Sequence, residues 1–145
     1  MQTFIRQNFR WIAGGFALTY FSSFGQTYFI SASIAEWQAA FGLSHGEFGR
    51  LYMYATLGSA ACLPFIGRLV DHIAADKMIA FVVPVLAGAT LLAGFSTSLV
   101  LLVFAIFLLR LFGQGMMTHM ALTATGRWFH AERGRAVSLV VLGHQ

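Results

Sequence analysis

Residues 99–117, LVLLVFAIFLLRLFGQGMM, decide the fold: eleven consecutive apolar residues, then Arg110, then more apolar residues around Gly113, Gln114 and Gly115. No face of such a helix is polar enough to meet water, so it belongs in lipid, where about 20 such residues span the hydrocarbon core. The whole chain agrees. Of its 145 residues 58% are hydrophobic and only 10% charged, against roughly 25% charged in soluble domains. Mean hydropathy is +0.73. This balance predicts an all-α membrane protein, a polytopic transmembrane helix bundle.

Working outward, the charged residues punctuate the chain. Arg10 and Glu36 enclose 25 uncharged positions, and Arg50 and Arg68 enclose 17. Met78 to Leu109 is an uncharged run of 32 residues, divided by the turn sequence GFSTS at 94–98. Four spans follow, at about 11–33, 47–67, 78–95 and 99–124. A fifth begins near 136 with AVSLVVLGHQ, ten residues that are too short to cross. The expectation is therefore the N-terminal part of a larger bundle.

The Lys/Arg bias of short loops sets orientation. An inside N-terminus puts Arg6, Arg10, Arg68, Lys77, Arg127, Arg133 and Arg135 on the cytoplasmic side of a cell (inner) membrane, leaving only Arg50 outside. A secretory leader, suggested by SASIA at 31–35, fits poorly because the apolar region is long, interrupted by polar residues and followed by further spans. The net charge of +4 does not indicate nucleic acid, since no basic cluster with interleaved aromatics occurs. A single cysteine, Cys62, excludes an intrachain disulfide and reads as packing.

Arg110 is the sharpest chemical signal. Eleven residues into its helix, it lies roughly 16 Å deep, where a charge must face the bundle interior or a wet cavity. It either contacts an anionic solute or a proton-linked carboxylate, or bonds backbone carbonyls of a neighbouring helix. No carboxylate lies within the four spans beyond Glu47 at the outer edge of the second. Thr19, Ser22, Ser23, Gln26 and Ser33 form a polar stripe on the first helix, either lining a solute pathway or bonding between helices. Arg110, Gln114 and Met117 share a face by α-helical spacing. FGQ occurs at both 24–26 and 112–114, at matching depths from opposite membrane faces, as an inverted repeat would place a pair of cavity amides. Gly58 to Cys62 make the second helix small-sided, suiting close helix contact. Met53, Met116, Met117 and Met120 read as filler, and His119 as packed or wet. No metal, cofactor, phosphate-loop or nucleophile constellation is present in the sequence, so neither a cofactor nor an enzyme is expected.

Three segments carry a resemblance. GRLVDHIAADKM at 67–78 resembles the major facilitator superfamily signature G-x-L-x-D-R-x-G-R-R/K-R/K between the second and third helices. Gly67, Leu69 and Asp71 match, His72 stands at a basic position and Lys77 keeps a terminal charge, while Ala74, Ala75 and Asp76 depart. LLRLFGQG at 108–115 is similar to the family's fourth-helix motif, with Arg110, Gly113 and Gly115 in register. RWFHAERGRAVSL at 127–139 looks like the family's link into the fifth helix. The resemblance implies the N-terminal half of a twelve-helix fold built from inverted three-helix repeats. It also implies secondary transport by alternating access, coupled to protons or a counter-solute. Gating would fall to the loop residues Gly67, Asp71, His72 and Lys77, and the pathway to Arg110, Gln114, Gln26, Ser22, Ser23 and Thr19. Partners would be a small-molecule solute, an organic anion among the options, the lipid bilayer and the remaining helices. Such a fragment alone is not expected to transport.

The rival readings are a complete four-helix protein that dimerises as an exporter, or a non-transporting membrane subunit. Small dimeric exporters rely on a first-helix carboxylate, and residues 11–33 have none.

Overall fold

A computed structural model describes residues 2–144, the side chains of Gln2 and Asp71 excepted. Helices α1 (Gln2–Phe21), α2 (Thr27–Ala32), α3 (Ile34–Phe41), α4 (His45–Gly67), α5 (Leu69–His72) and α6 (Ala75–Gly94) come first. Then α7 (Leu99–Leu108), a π-helical segment (Leu109–Met117) and α8 (Thr118–Trp128) form one continuous rod, followed by α9 (Arg133–Val141). The described residues contain no strand. Among the described residues two helices are long and apolar enough to cross a membrane: Ala75–Gly94 and Leu99–Trp128.

The rod is the hub, packed by α4, α6 and the N-terminal helix. Its inward residues Leu102, Ala105, Ile106, Leu109, Met116 and Met120 are buried, with Val82 and Leu86 of α6 against them. Large apolar side chains also point outward, including Phe95 at 80% exposure and Val100 at 78%. That inversion is stable where the surroundings are lipid.

The helix ends are set locally. Ser44 and Glu47 form a reciprocal capping box that starts α4. Gly42, with φ at +64°, supplies the left-handed residue that closes α3. The GFSTS turn separates α6 from the rod, and the Ser98 hydroxyl caps α7 by accepting from the Leu101 amide.

The N-terminal helix departs from expectation. A short helical piece precedes the expected start near 11, separated from the rest of α1 by a kink at Asn8 with φ −114° and ψ 17°, and the helix is not one span to residue 33. It tightens to a 3-10 turn at Ser22–Gly25, and Gln26 is extended, with φ −78° and ψ 154°. The cause is local chemistry: Ser22 and Ser23 compete for backbone groups, Gly25 has the poorest helix propensity short of proline, and the Ser22 hydroxyl bonds back to the Thr19 carbonyl at 2.6 Å.

Near the other end of the chain, Gly143 sits against the Phe16 carbonyl and the Thr19 hydroxyl, a spacing that leaves no room for a Cβ. The segment after α9 thereby packs directly on α1. In a separate contact of α1, Trp11 stacks on Trp128 at the end of the rod, with centroids 3.9 Å apart.

Candidate functional site

The break in the N-terminal helix lies on the π segment of the rod. Gly25 and Gly113 meet backbone to backbone: a Cβ on Gly113 would lie 2.8 Å from the Gly25 Cα, and one on Gly25 would strike the Leu109 carbonyl and the Gln114 amide. Only glycine at both positions permits this approach.

A broken helix exposes carbonyls that lipid cannot satisfy. Arg110 answers one of them, its Nη1 donating to the Gly25 carbonyl at 3.3 Å and to Thr27 Oγ1 at 3.3 Å. Thr27 Oγ1 is 3.1 Å from the Tyr52 hydroxyl, and the guanidinium carbon lies 5.6 Å from the Tyr52 ring centroid, within cation–π reach. The backbone-bonding alternative for Arg110 is therefore realised. Its Nε is buried without a hydrogen-bond partner among the described residues.

Arg110 also borders a cavity of about 390 Å³ between α4 and the rod, lined among others by Gln114, Thr56, Ser59, Thr118 and His119. Gln114 thus keeps company with Arg110, as the sequence spacing predicts. Met117 does not. It is buried and faces the α6 side with Phe21 and Phe24. The i→i+5 bonding of the π segment puts an extra residue into each hydrogen-bonded ring and shifts every later side chain off the α-helical face.

The polar stripe of the first helix turns toward the chain's last segment. Thr19, Ser22 and Gln26 are buried. The Thr19 hydroxyl lies 2.6 Å from the Val140 carbonyl. Because the Ser22 hydroxyl hydrogen goes to Thr19, its oxygen is left to accept from His144 Nδ1–H at 3.2 Å, and Gln26 Nε2 then donates to His144 Nε2 at 2.8 Å. This network assigns the ring proton to Nδ1. Ser23 is only half-buried. The two Gly-Gln segments therefore cross at their glycines, but the amides part company: Gln114 lines the cavity and Gln26 holds His144.

His144 carries no role in the sequence reading. The signal available was a lone histidine after glycine in an apolar run, which does not reveal its partners 118 and 122 positions away.

In the loop after α4, Gly67 is buried beside the His119 ring, while His72 and Lys77 are exposed. The Asp71 side chain lies outside the described residues. Arg127 donates to the Val70 carbonyl at 3.4 Å, tying the end of the rod to this loop. Arg133 Nε donates to the Gly126 carbonyl at 3.0 Å across the turn into α9. Among the described residues no group of three or more His, Cys, Asp or Glu is placed to hold a metal.

The sequence profile of the Major Facilitator Superfamily matches residues 16–145. No curated protein and no solved structure matches the chain. The chain belongs to the major facilitator superfamily, whose members are membrane transporters.

Proposed function

Starting from that membership, we propose that this chain is part of a secondary active transporter. It moves a small solute by alternating access, coupled to protons or a counter-solute, and catalyses no covalent chemistry. The solute class favoured is an organic anion, because the deepest ionisable group is an arginine and the one carboxylate in the four spans, Glu47, lies at their outer edge. The protein crosses the cell membrane several times with its N-terminus in the cytoplasm, as the seven-to-one distribution of loop Lys and Arg supports.

The observation that carries this reading is the crossing of two irregular helices. The N-terminal helix unwinds at Ser22–Gln26 where the rod is π-helical, and Arg110 sits at the junction. Irregular backbone at membrane depth is tolerated where it is buried in protein or lines a cavity, and in transporters it marks binding sites. Gly67, Asp71, His72 and Lys77 form the gating loop in this proposal, and the pathway runs past Arg110, Gln114 and the Thr19–Gln26 stripe.

Uptake into vesicles containing the native-length protein tests the proposal. Arg110→Ala and Gln26→Ala should each abolish or strongly reduce uptake while the protein remains inserted. Normal uptake by both variants removes these residues from the pathway.

A further inference from the structure

A different cavity, of about 340 Å³, lies at the end of the bundle where α2 gives way to α3 and the GFSTS turn follows α6. Phe29 of α2, Ser33 at the joint, and Glu36 and Trp37 of α3 line it. Their spacings of three and four residues put them on one helix face. Thr90 of α6 and Ser96 of the turn line the cavity too, and so does the buried Leu109 of the rod. Neither Arg110 nor Gln114 lines it, so it is separate from the junction described above.

The hydroxyls on this wall are placed to accept. The Thr90 hydroxyl donates to the Leu86 carbonyl at 2.9 Å, and the Ser96 hydroxyl to the Ala93 carbonyl at 3.2 Å. Each has spent its hydrogen and keeps lone pairs for a ligand. Ser33 is half-buried, and its hydroxyl is unbonded among the described residues, so it too is free to accept.

The charge on the wall is negative. Glu36 is exposed, and an ionised carboxylate accepts only. No Lys, Arg or His lines the cavity. The neighbouring basic groups on this end of the chain face other partners: His45 bonds Gln38 at 3.0 Å, and Arg50 acts on Glu47. Three aromatic side chains, Phe29, Trp37 and Phe41, share the lining, and the face of an aromatic ring attracts a cation. A metal ion fits poorly, because one carboxylate lines the cavity and the described residues hold no group of three or more His, Cys, Asp or Glu.

We infer that this cavity binds a small primary ammonium compound with an apolar body. The ammonium donates to the Glu36 carboxylate and the Ser33 hydroxyl, and the carbon skeleton lies against Phe29, Trp37 and Leu109. One carboxylate sets a single positive charge, and the volume falls at the small end of ligand pockets. The inference goes beyond the transport reading and does not depend on it, since the ligand is of opposite sign and meets residues that Arg110 does not join.

Equilibrium dialysis of radiolabelled phenethylamine against the purified native-length protein at neutral pH tests the site. The amine should bind saturably. Phenethyl alcohol, close in shape but uncharged, and phenylacetate, opposite in charge, should compete at least about tenfold less well. Glu36→Gln should weaken binding about tenfold or more, and Phe29→Leu about threefold. Glu36→Gln should leave the unfolding temperature unchanged, because an exposed carboxylate with no ion pair among the described residues has none to lose. Arg110→Ala should bind the amine as the wild type does. Equal competition by phenethyl alcohol, unchanged affinity in Glu36→Gln, or binding that never saturates overturns the site. Loss of binding in Arg110→Ala also overturns it, by moving the amine to the junction. Vesicle uptake of solute is a separate readout, so a transporter that fails to bind the amine sinks this inference alone.

Discussion

Gly25 and Gly113 lie so close that a Cβ added to Gly113 would sit 2.8 Å from both the Cα and the amide nitrogen of Gly25. The unwound turn of the N-terminal helix and the π segment of the rod therefore touch through main chain alone. The obstructing atoms are backbone and cannot swing aside. Gly25→Ala and Gly113→Ala should each destabilise the fold by about 1–3 kcal/mol, the usual cost of overpacking. Gly14→Ala is the control, since nothing lies within 4 Å of its Cβ position. Thermal unfolding in detergent checks all three, and wild-type stability in Gly25→Ala would show that the crossing is looser than described.

A second prediction concerns His144, which joins Ser22 to Gln26 across 3.2 and 2.8 Å. His144→Leu strands the Gln26 amide and the Ser22 acceptor in a buried place, at about 1–3 kcal/mol. Gln26→Met removes the same bond from the other side, so the double variant should cost less than the sum of the two. Strict additivity in a double-mutant cycle would mean that the two side chains do not interact.

The third is a pH effect at the exposed start of α4. Hydrogen bonds from the Ser44 hydroxyl and backbone amide, with a smaller contribution from Arg50, hold the Glu47 carboxyl below its ordinary pKa. A depressed folded-state pKa means the cap contributes fully above the unfolded value of about 4.3. The contribution is lost as pH falls through the lower folded value. Glu47→Gln should therefore flatten the acid limb of unfolding temperature against pH and leave the curve near pH 7 shallow as before. An acid limb unchanged by Glu47→Gln would contradict the cap.

Much of this was readable from residue order. The apolar run at 99–117, the GFSTS break and the spacing of charges fall where long helices occur at His45–Gly67, Ala75–Gly94 and Leu99–Trp128, and the family profile matches residues 16–145. The company of Arg110 with Gln114 also follows from the sequence, because i and i+4 share a helix face. The position of Met117 was not readable, since periodicity assumes a constant turn and the π segment changes it. Nor was the early unwinding at Ser22–Gln26. Serine and glycine lower helix propensity there, but whether a helix in lipid breaks depends on a neighbour able to satisfy the freed carbonyl.

Sequence by itself determined what this protein is made for: lipid surroundings, helical spans, family and an arginine within an apolar helix, all consequences of local composition and spacing. Tertiary structure alone decided what the polar residues touch. Ser22 and Gln26 reach His144, Arg110 bonds the Gly25 carbonyl, and Gln114 comes to line a cavity between α4 and the rod. The physical reason is that a hydrogen bond depends on distance and direction between groups far apart along the chain, and those are set only when helices pack.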